Sequence, residues 1–459
     1  MASAPSGRSA ADSTPGAPVA AAPGTPGPAW RMLTFATAGF MVNFWAWALI
    51  SPLGSVYRSE LDLSAFQQAF LVAVPVVVGS LGRIPVGALT DRLGARVMFP
   101  AVSVVTIVPV LFVGLAADSY LLLIVGGFFL GVGGTAFAVG VPLVSAWFPA
   151  QRRGFALGIF GVGMGGTAIS AFTTVRLADS YGRATPFVIV AVVLALYALL
   201  AAVWLRDAPR RVPTKGSFVA RTWATAQLPG VAQLSLLYAV SFGGFVAFSV
   251  YLPTDLRNAY DLTASDAATR TAGFVVLAVL MRPVGGWLSD RVGPVPVLAV
   301  CFTAASVLAA VALPLLPVGT VAFLGLAAAL GAAFALVAKL APAGKVGAVS
   351  GIVGAAGGLG GFVPPLVMGL VYGLFGNYAL GLALLAVVAL GTAAFAPPPS
   401  CRRQRARRRR FRLPGRRRRP DYRHRAGRVQ DALQSDRPQQ GAGERTTPPV
   451  TEHQKISTL

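Results

Sequence analysis

Two copies of one motif, 199 positions apart, constrain this chain more than anything else in it. The first reads RIPVGALTDRLG from Arg83 to Gly94, the second RPVGGWLSDRVG from Arg282 to Gly293. Arg83, Gly87, Leu89, Asp91, Arg92 and Gly94 each find their own residue type at the matching place in the second copy. A weaker echo links GIFGVGMGG from Gly158 with GIVGAAGGLGG from Gly351. Corresponding segments in two halves are the pattern of a membrane carrier with its site between the halves, near the middle of the bilayer.

The surroundings of the repeats agree with a membrane. Of the 459 residues, 55% are hydrophobic and 12% charged, against about 25% charged in ordinary soluble domains. Apolar stretches recur over 33–57, 66–89, 97–117, 120–147, 154–175, 186–205, 231–253, 270–289, 294–314, 319–338, 347–374 and 377–396. Each is long enough to cross a hydrocarbon core of about 30 Å at about 1.5 Å per residue. The expected fold is an all-α membrane protein of twelve transmembrane helices in two pseudo-symmetric six-helix bundles. Its parts are a disordered tail over 1–30, one bundle over 31–205, a central cytoplasmic loop over 206–227, a second bundle over 228–396 and a basic tail over 397–459. The first 30 residues lack the apolar segment of a signal peptide.

Loop charges orient the bundle. Connections after even-numbered spans carry twelve Lys and Arg, those after odd-numbered spans five. The positive-inside rule then puts both termini in the cytoplasm of a multi-pass inner-membrane protein. The formal charge of +23 says little about the core, because residues 400–459 hold 18 basic against 5 acidic side chains. That tail, with RRQRARRRRFRLPGRRRRP after Cys401, reads as a frameshifted or otherwise non-native end. The alternative is a segment that binds anionic lipid headgroups or nucleic acid.

Arg83 and Arg282 carry the chemistry. Each precedes its loop aspartate by eight residues, which places it about 12 Å up the helix from the cytoplasmic end. A guanidinium at such depth costs about 2.5–3.5 kcal/mol or more on the insertion scale, and it keeps its proton. Every acidic residue of the body, Asp255 included, is expected in a tail, in a loop or at a helix end. Two midplane cations without a midplane carboxylate imply an anionic substrate, and the planar guanidinium fork suits a planar or carboxylate-like oxyanion. The structural alternative is an arginine bonded to backbone carbonyls or reaching to the interface. With no intramembrane Asp, Glu or His expected, substrate exchange fits better than a proton relay, unless the proton travels by another route.

Aromatic stripes supply a second layer. Phe40, Phe44 and Trp47 fall at i, i+4 and i+7 on span one, and Tyr238, Phe242 and Phe245 repeat that spacing on span seven. They either sandwich a flat anion or simply pack helices. Gly158, Gly161, Gly163, Gly165 and Gly166, with Gly351, Gly354, Gly357, Gly358, Gly360 and Gly361, let helices approach closely and can expose backbone to a small substrate. No Walker pattern accompanies them and they lie within apolar stretches, so a nucleotide site is not expected. Cys301 and Cys401 have no metal-ligand spacing, and both histidines, His424 and His453, lie in the tail. No cofactor and no metal are expected.

The repeat resembles the signature of the major facilitator superfamily, carried here by Gly87, Asp91, Arg92, Gly94 and Arg96 and again by Gly286, Asp290, Arg291 and Gly293. The resemblance implies the major facilitator fold and a cytoplasmic latch of Gly87, Asp91, Arg92, Asp290 and Arg291 that pairs with neighbouring helix ends. The Gly-rich spans five and eleven, above all GKVGAVSGIVGAAGGLGGFVPPLVMG from Gly344, are similar to the signature sequences of the nitrate/nitrite porter family. That resemblance implies that Arg83 and Arg282 clamp nitrate or nitrite, with Phe44, Tyr238, Phe242, Gly163 and Gly358 around it. Met164 stands where many members of that family have Asn, which removes a polar contact. The expected partners are the anion and the lipid bilayer, with no nucleic acid and a monomeric carrier rather than an enzyme. A carrier of another small anion such as a short carboxylate, or a membrane sensor that transports nothing, are the alternatives.

Overall fold

The computed structural model describes residues 26–149, 151–209, 218–228, 230–312, 325, 329–330 and 346–395. Span ten apart from three positions, the N-terminal tail to residue 25 and the basic tail lie outside the described residues. All regular structure among the described residues is helical. Nine helical segments there are long and apolar enough to cross a membrane.

Four spans are broken into pieces. Span one forms α1 (Pro26–Trp47) and α2 (Ile50–Glu60), and span two forms α3 (Ala65–Leu81) and α4 (Arg83–Leu93). Span three is α5 (Ala95–Leu115). Span four is α6 (Tyr120–Leu130) and α7 (Ala136–Trp147) around a 3-10 turn, Gly131–Thr135. Span five is α8 (Arg153–Gly161) and α9 (Gly166–Tyr181) around a second such turn, Val162–Gly165. Span six is α10 (Thr185–Trp204). The expected central loop contains a short helix, α11 (Phe218–Ala226). Then come α12 (Val231–Tyr260), α13 (Ala264–Val292), α14 (Pro294–Ala312), α15 (Val346–Phe375) and α16 (Ala379–Phe395).

Local chemistry explains these boundaries. Ser64 and Gln67 form a reciprocal capping box at the head of α3, which satisfies two otherwise orphaned donors. Thr263 caps α13 through the Asp266 backbone N–H. The motif glycines Gly94 and Gly293 end α4 and α13 with nearly the same backbone, φ 91° ψ 159° and φ 95° ψ 158°. A side chain at such positive φ is strained, so glycine is required at both ends of the repeat.

The halves meet through matched pairs. Span two (α3 and α4) packs on α15, and span five (α8 and α9) packs on α13. One hydrophobic core runs through both halves, from Phe40 and Phe137 to Phe242 and Phe274. Side chains such as Val108, Val192 and Val300 face outward on the bundle, as a chain solvated by lipid allows.

One expectation is corrected here. Span seven does not stop at 253 but continues as α12 to Tyr260, through Pro253. Asp255 therefore sits inside a helix, 3% exposed, rather than in a loop.

Candidate functional site

Arg83 opens α4 directly after the break at Gly82, and Arg282 lies within α13. Both are buried, at 3% and 0% exposure. Arg83 Nη1 donates to the Gly354 carbonyl of α15 at 2.8 Å, and its Nε donates to the Gly134 carbonyl at 3.2 Å. Arg282 Nη1 donates to the Gly161 carbonyl of α8 at 3.0 Å. Each arginine thus reaches across to the Gly-rich span of the opposite half. Carbonyls satisfy N–H donors but carry no net charge, so these bonds place the cations without neutralising them.

The guanidinium groups also rest on aromatic faces. The Arg83 Cζ stands 4.8 Å from the Phe242 ring centroid and 5.0 Å from that of Phe137. The Arg282 Cζ stands 4.8 Å from the Phe245 centroid. Cation–π contact inside a desolvated site is worth about 2 kcal/mol. Tyr238 stacks on Phe242 at 4.9 Å and 11°, and its own ring lies 6.1 Å from Phe137.

The remaining residues of the expected site divide. Tyr238 and Phe242 join the arginine layer. Phe44 is set back, since it packs edge-on against Phe40 at 4.5 Å, and Phe40 in turn faces Phe137 and Phe160. Gly163 is a packing position, where a Cβ would lie 2.7 Å from the Phe40 Cβ and 2.8 Å from the Thr37 carbonyl oxygen. Gly358 lets α15 approach Ser80 of α3, whose hydroxyl a Cβ would strike. Sequence reasoning missed Phe137 and Phe160, which share no i, i+4, i+7 stripe with another aromatic and so carry no periodic signal. The bonds to the Gly161 and Gly354 carbonyls are those of the structural alternative, an arginine held by backbone in the glycine runs, whereas Gly134 lies outside the runs singled out.

At the end of the second motif copy, Asp290 Oδ2 accepts from the Phe155 backbone N–H at 3.2 Å, at the head of α8. A carboxylate at a helix N-terminus is favoured by about 0.3–1 kcal/mol. Arg291 turns back over the Trp287 ring at 4.1 Å. Gly87 is buried, Asp91 half-buried and Arg92 exposed.

The halves also touch at the far end. Ser51 Oγ donates to the Val250 carbonyl at 2.7 Å, and Gln68 Nε2 donates to Thr254 Oγ1 at 3.3 Å. Arg58 Nη1 donates to Gln68 Oε1 at 3.3 Å. Nearby, Arg183 bonds Asp118 at 2.6 Å and Glu60, at the end of α2, at 3.3 Å, all within the first half. Burial works against the charge on Arg183, but Tyr57, the Asp118 bond and Glu60 outweigh it and raise its proton affinity.

A helical bundle with two repeat-related halves and a buried cationic layer between them defines a membrane carrier. The chain belongs to the major facilitator superfamily, whose family model matches residues 36–231 and 234–437. Its relatives put it within the nitrate/nitrite porters of that superfamily. The chain is 50% identical over 368 residues, 78% of its length and 93% of the relative's, to a Mycobacterium tuberculosis protein named "Probable nitrate/nitrite transporter NarK2". It is 38% identical over 361 residues, 77% of its length and 89% of the relative's, to the "Nitrite extrusion protein" of Bacillus subtilis. Among solved structures, it is similar in fold to the human organic anion transporter MFSD10 at a TM-score of 0.66 and 14% identity. That match covers 81% of this chain and 100% of the other.

Proposed function

We propose that this protein carries nitrate and/or nitrite across the cell inner membrane by alternating access, as an exchanger, with both termini in the cytoplasm. The anion sits between Arg83 and Arg282 and brings the negative charge that the Gly354 and Gly161 carbonyls lack. Tyr238 and Phe242 flank it from α12, and Phe137 closes the layer from α7. The carrying observation is the matched pair of guanidiniums, buried at the plane where the halves meet. The relatives named for nitrate and nitrite supply the choice of cargo.

A short carboxylate is the second reading, because the same fork binds a carboxylate in bidentate fashion. Counterflow in proteoliposomes, with nitrate, nitrite, chloride and formate compared, separates the two. Uptake of nitrate or nitrite above formate and chloride supports the proposal. Formate preferred to both overturns the choice of cargo.

A further inference from the structure

The residue that this account leaves unused is Asp255. It is 3% exposed on α12, and its Oδ1 has no hydrogen-bond partner among the described residues. It lines a cavity of about 290 Å³ whose other walls include Phe248, Tyr251, Leu252, Met368 and Leu385. Such a wall offers a carboxylate almost nothing to compensate its charge, and an uncompensated buried charge is costly. Around it stand Tyr251 and Tyr260 on its own helix and Tyr378 at the head of α16, all of which feel its charge. Arg58, in the last turn of α2, bonds Gln68, and its charge and Tyr372 on α15 are felt at Tyr251. Tyr378 accepts from Asn258 at 2.9 Å and lies 3.5 Å from the Tyr251 hydroxyl.

Its place in the fold gives the burial a consequence. The neighbouring Thr254 accepts the Gln68 bond from the other half, and Val250, one turn back, accepts the Ser51 bond. These bonds join the two halves at the far end. We propose that Asp255 is a proton-binding site whose occupancy sets the closure of that end. With the proton on, the carboxyl is neutral and α12 can seal against α2 and α3. With the proton off, the carboxylate draws water, and sealing costs the burial of an unpaired charge. Closure therefore takes up one proton from the solvent at that end, and opening returns it. By linkage, acid favours the closed form and alkali the open one. The purpose of such a gate rests on the carrier reading above, but its operation does not require the anion.

The test is a distance measurement by pulsed electron spin resonance in lipid nanodiscs. Spin labels go on Ser59→Cys and Ser265→Cys, on either side of the far-end seam, with Cys301 and Cys401 replaced by Ala. Spectra are taken at about pH 5 and about pH 9, which bracket the range over which a buried carboxyl titrates. The labelled protein should shift to longer distances at the higher pH, and Asp255→Asn should keep the shorter distances at both. A parent protein whose distances ignore pH overturns the proposal without any variant, and so does an Asp255→Asn protein that still shifts. Anion counterflow is assayed separately. Its absence beside an intact pH shift would sink the cargo and leave the gate standing.

Discussion

Gly161 and Gly354 are equivalent residues of the two halves, each three positions into the matched glycine runs, and each gives its carbonyl to the arginine of the opposite half. The repeat therefore extends beyond sequence. It organises a pair of bonds that cross the seam in opposite senses, with one arginine held by α15 and the other by α8.

Arg83→Lys and Arg282→Lys should each lower anion exchange by about 10- to 100-fold, the equivalent of losing a charged hydrogen bond worth about 1.5–3 kcal/mol. A lysine keeps the charge but loses the fork. Membrane insertion should be unchanged, checked by the amount of folded protein extracted. Exchange near the parent rate in either variant would show that the arginines serve the helix contacts alone.

Phe137→Leu should weaken anion binding without abolishing transport. It removes one of the two rings beneath Arg83, worth about 0.5–2 kcal/mol. KM for the anion should rise several-fold while the maximal rate changes less, read from concentration-dependent counterflow.

Gly158→Ala should destabilise the protein by about 1–3 kcal/mol, as over-packing does. The new methyl would lie 2.8 Å from the Arg282 carbonyl oxygen and 2.9 Å from the Pro283 Cα, both main-chain atoms with little room to yield. A lower thermal midpoint is the measurement. An unchanged midpoint would mean that α8 and α13 separate more easily than their packing implies.

Asp290→Asn should weaken the contact of α13 with the head of α8 by about 0.3–1 kcal/mol, the value of a carboxylate at a helix N-terminus. The Phe155 N–H would keep an acceptor but lose its charge. Protease cleavage near residue 150 should quicken in the variant, and high salt should blunt the difference between the two proteins.

The fold was legible because its rule is written twice. Spacing alone singled out Arg83 and Arg282 as a repeat-related pair, and the positive φ of Gly94 and Gly293 explains why the motif keeps glycine there. The aromatic layer was half legible. Tyr238 and Phe242 lie on a stripe with helical period, whereas Phe137 is a lone ring in an apolar run that any packing residue could imitate. Phe44 shares the stripe of Phe40 but sits behind it. Asp255 was misplaced because Pro253 and the polar run after it read as a helix end. Hydropathy cannot tell a span that leaves the membrane from one whose last turns are sheathed by a partner helix, and Ser51 and Gln68 supply that sheath here.

The crossed carbonyl bonds bear on what drives net movement. The two arginines are held by related but not identical partners, Arg83 by Gly354, Gly134, Phe242 and Phe137, and Arg282 by partners that include Gly161 and Phe245; whatever the work of undoing each, a passive carrier has no direction of its own. Net movement then follows the solute concentrations on the two sides, while a difference between the seals at the two rims sets only which form is populated at rest. Those rims differ plainly, with Asp290 on a helix head at one and hydroxyl and amide bonds beside a buried acid at the other.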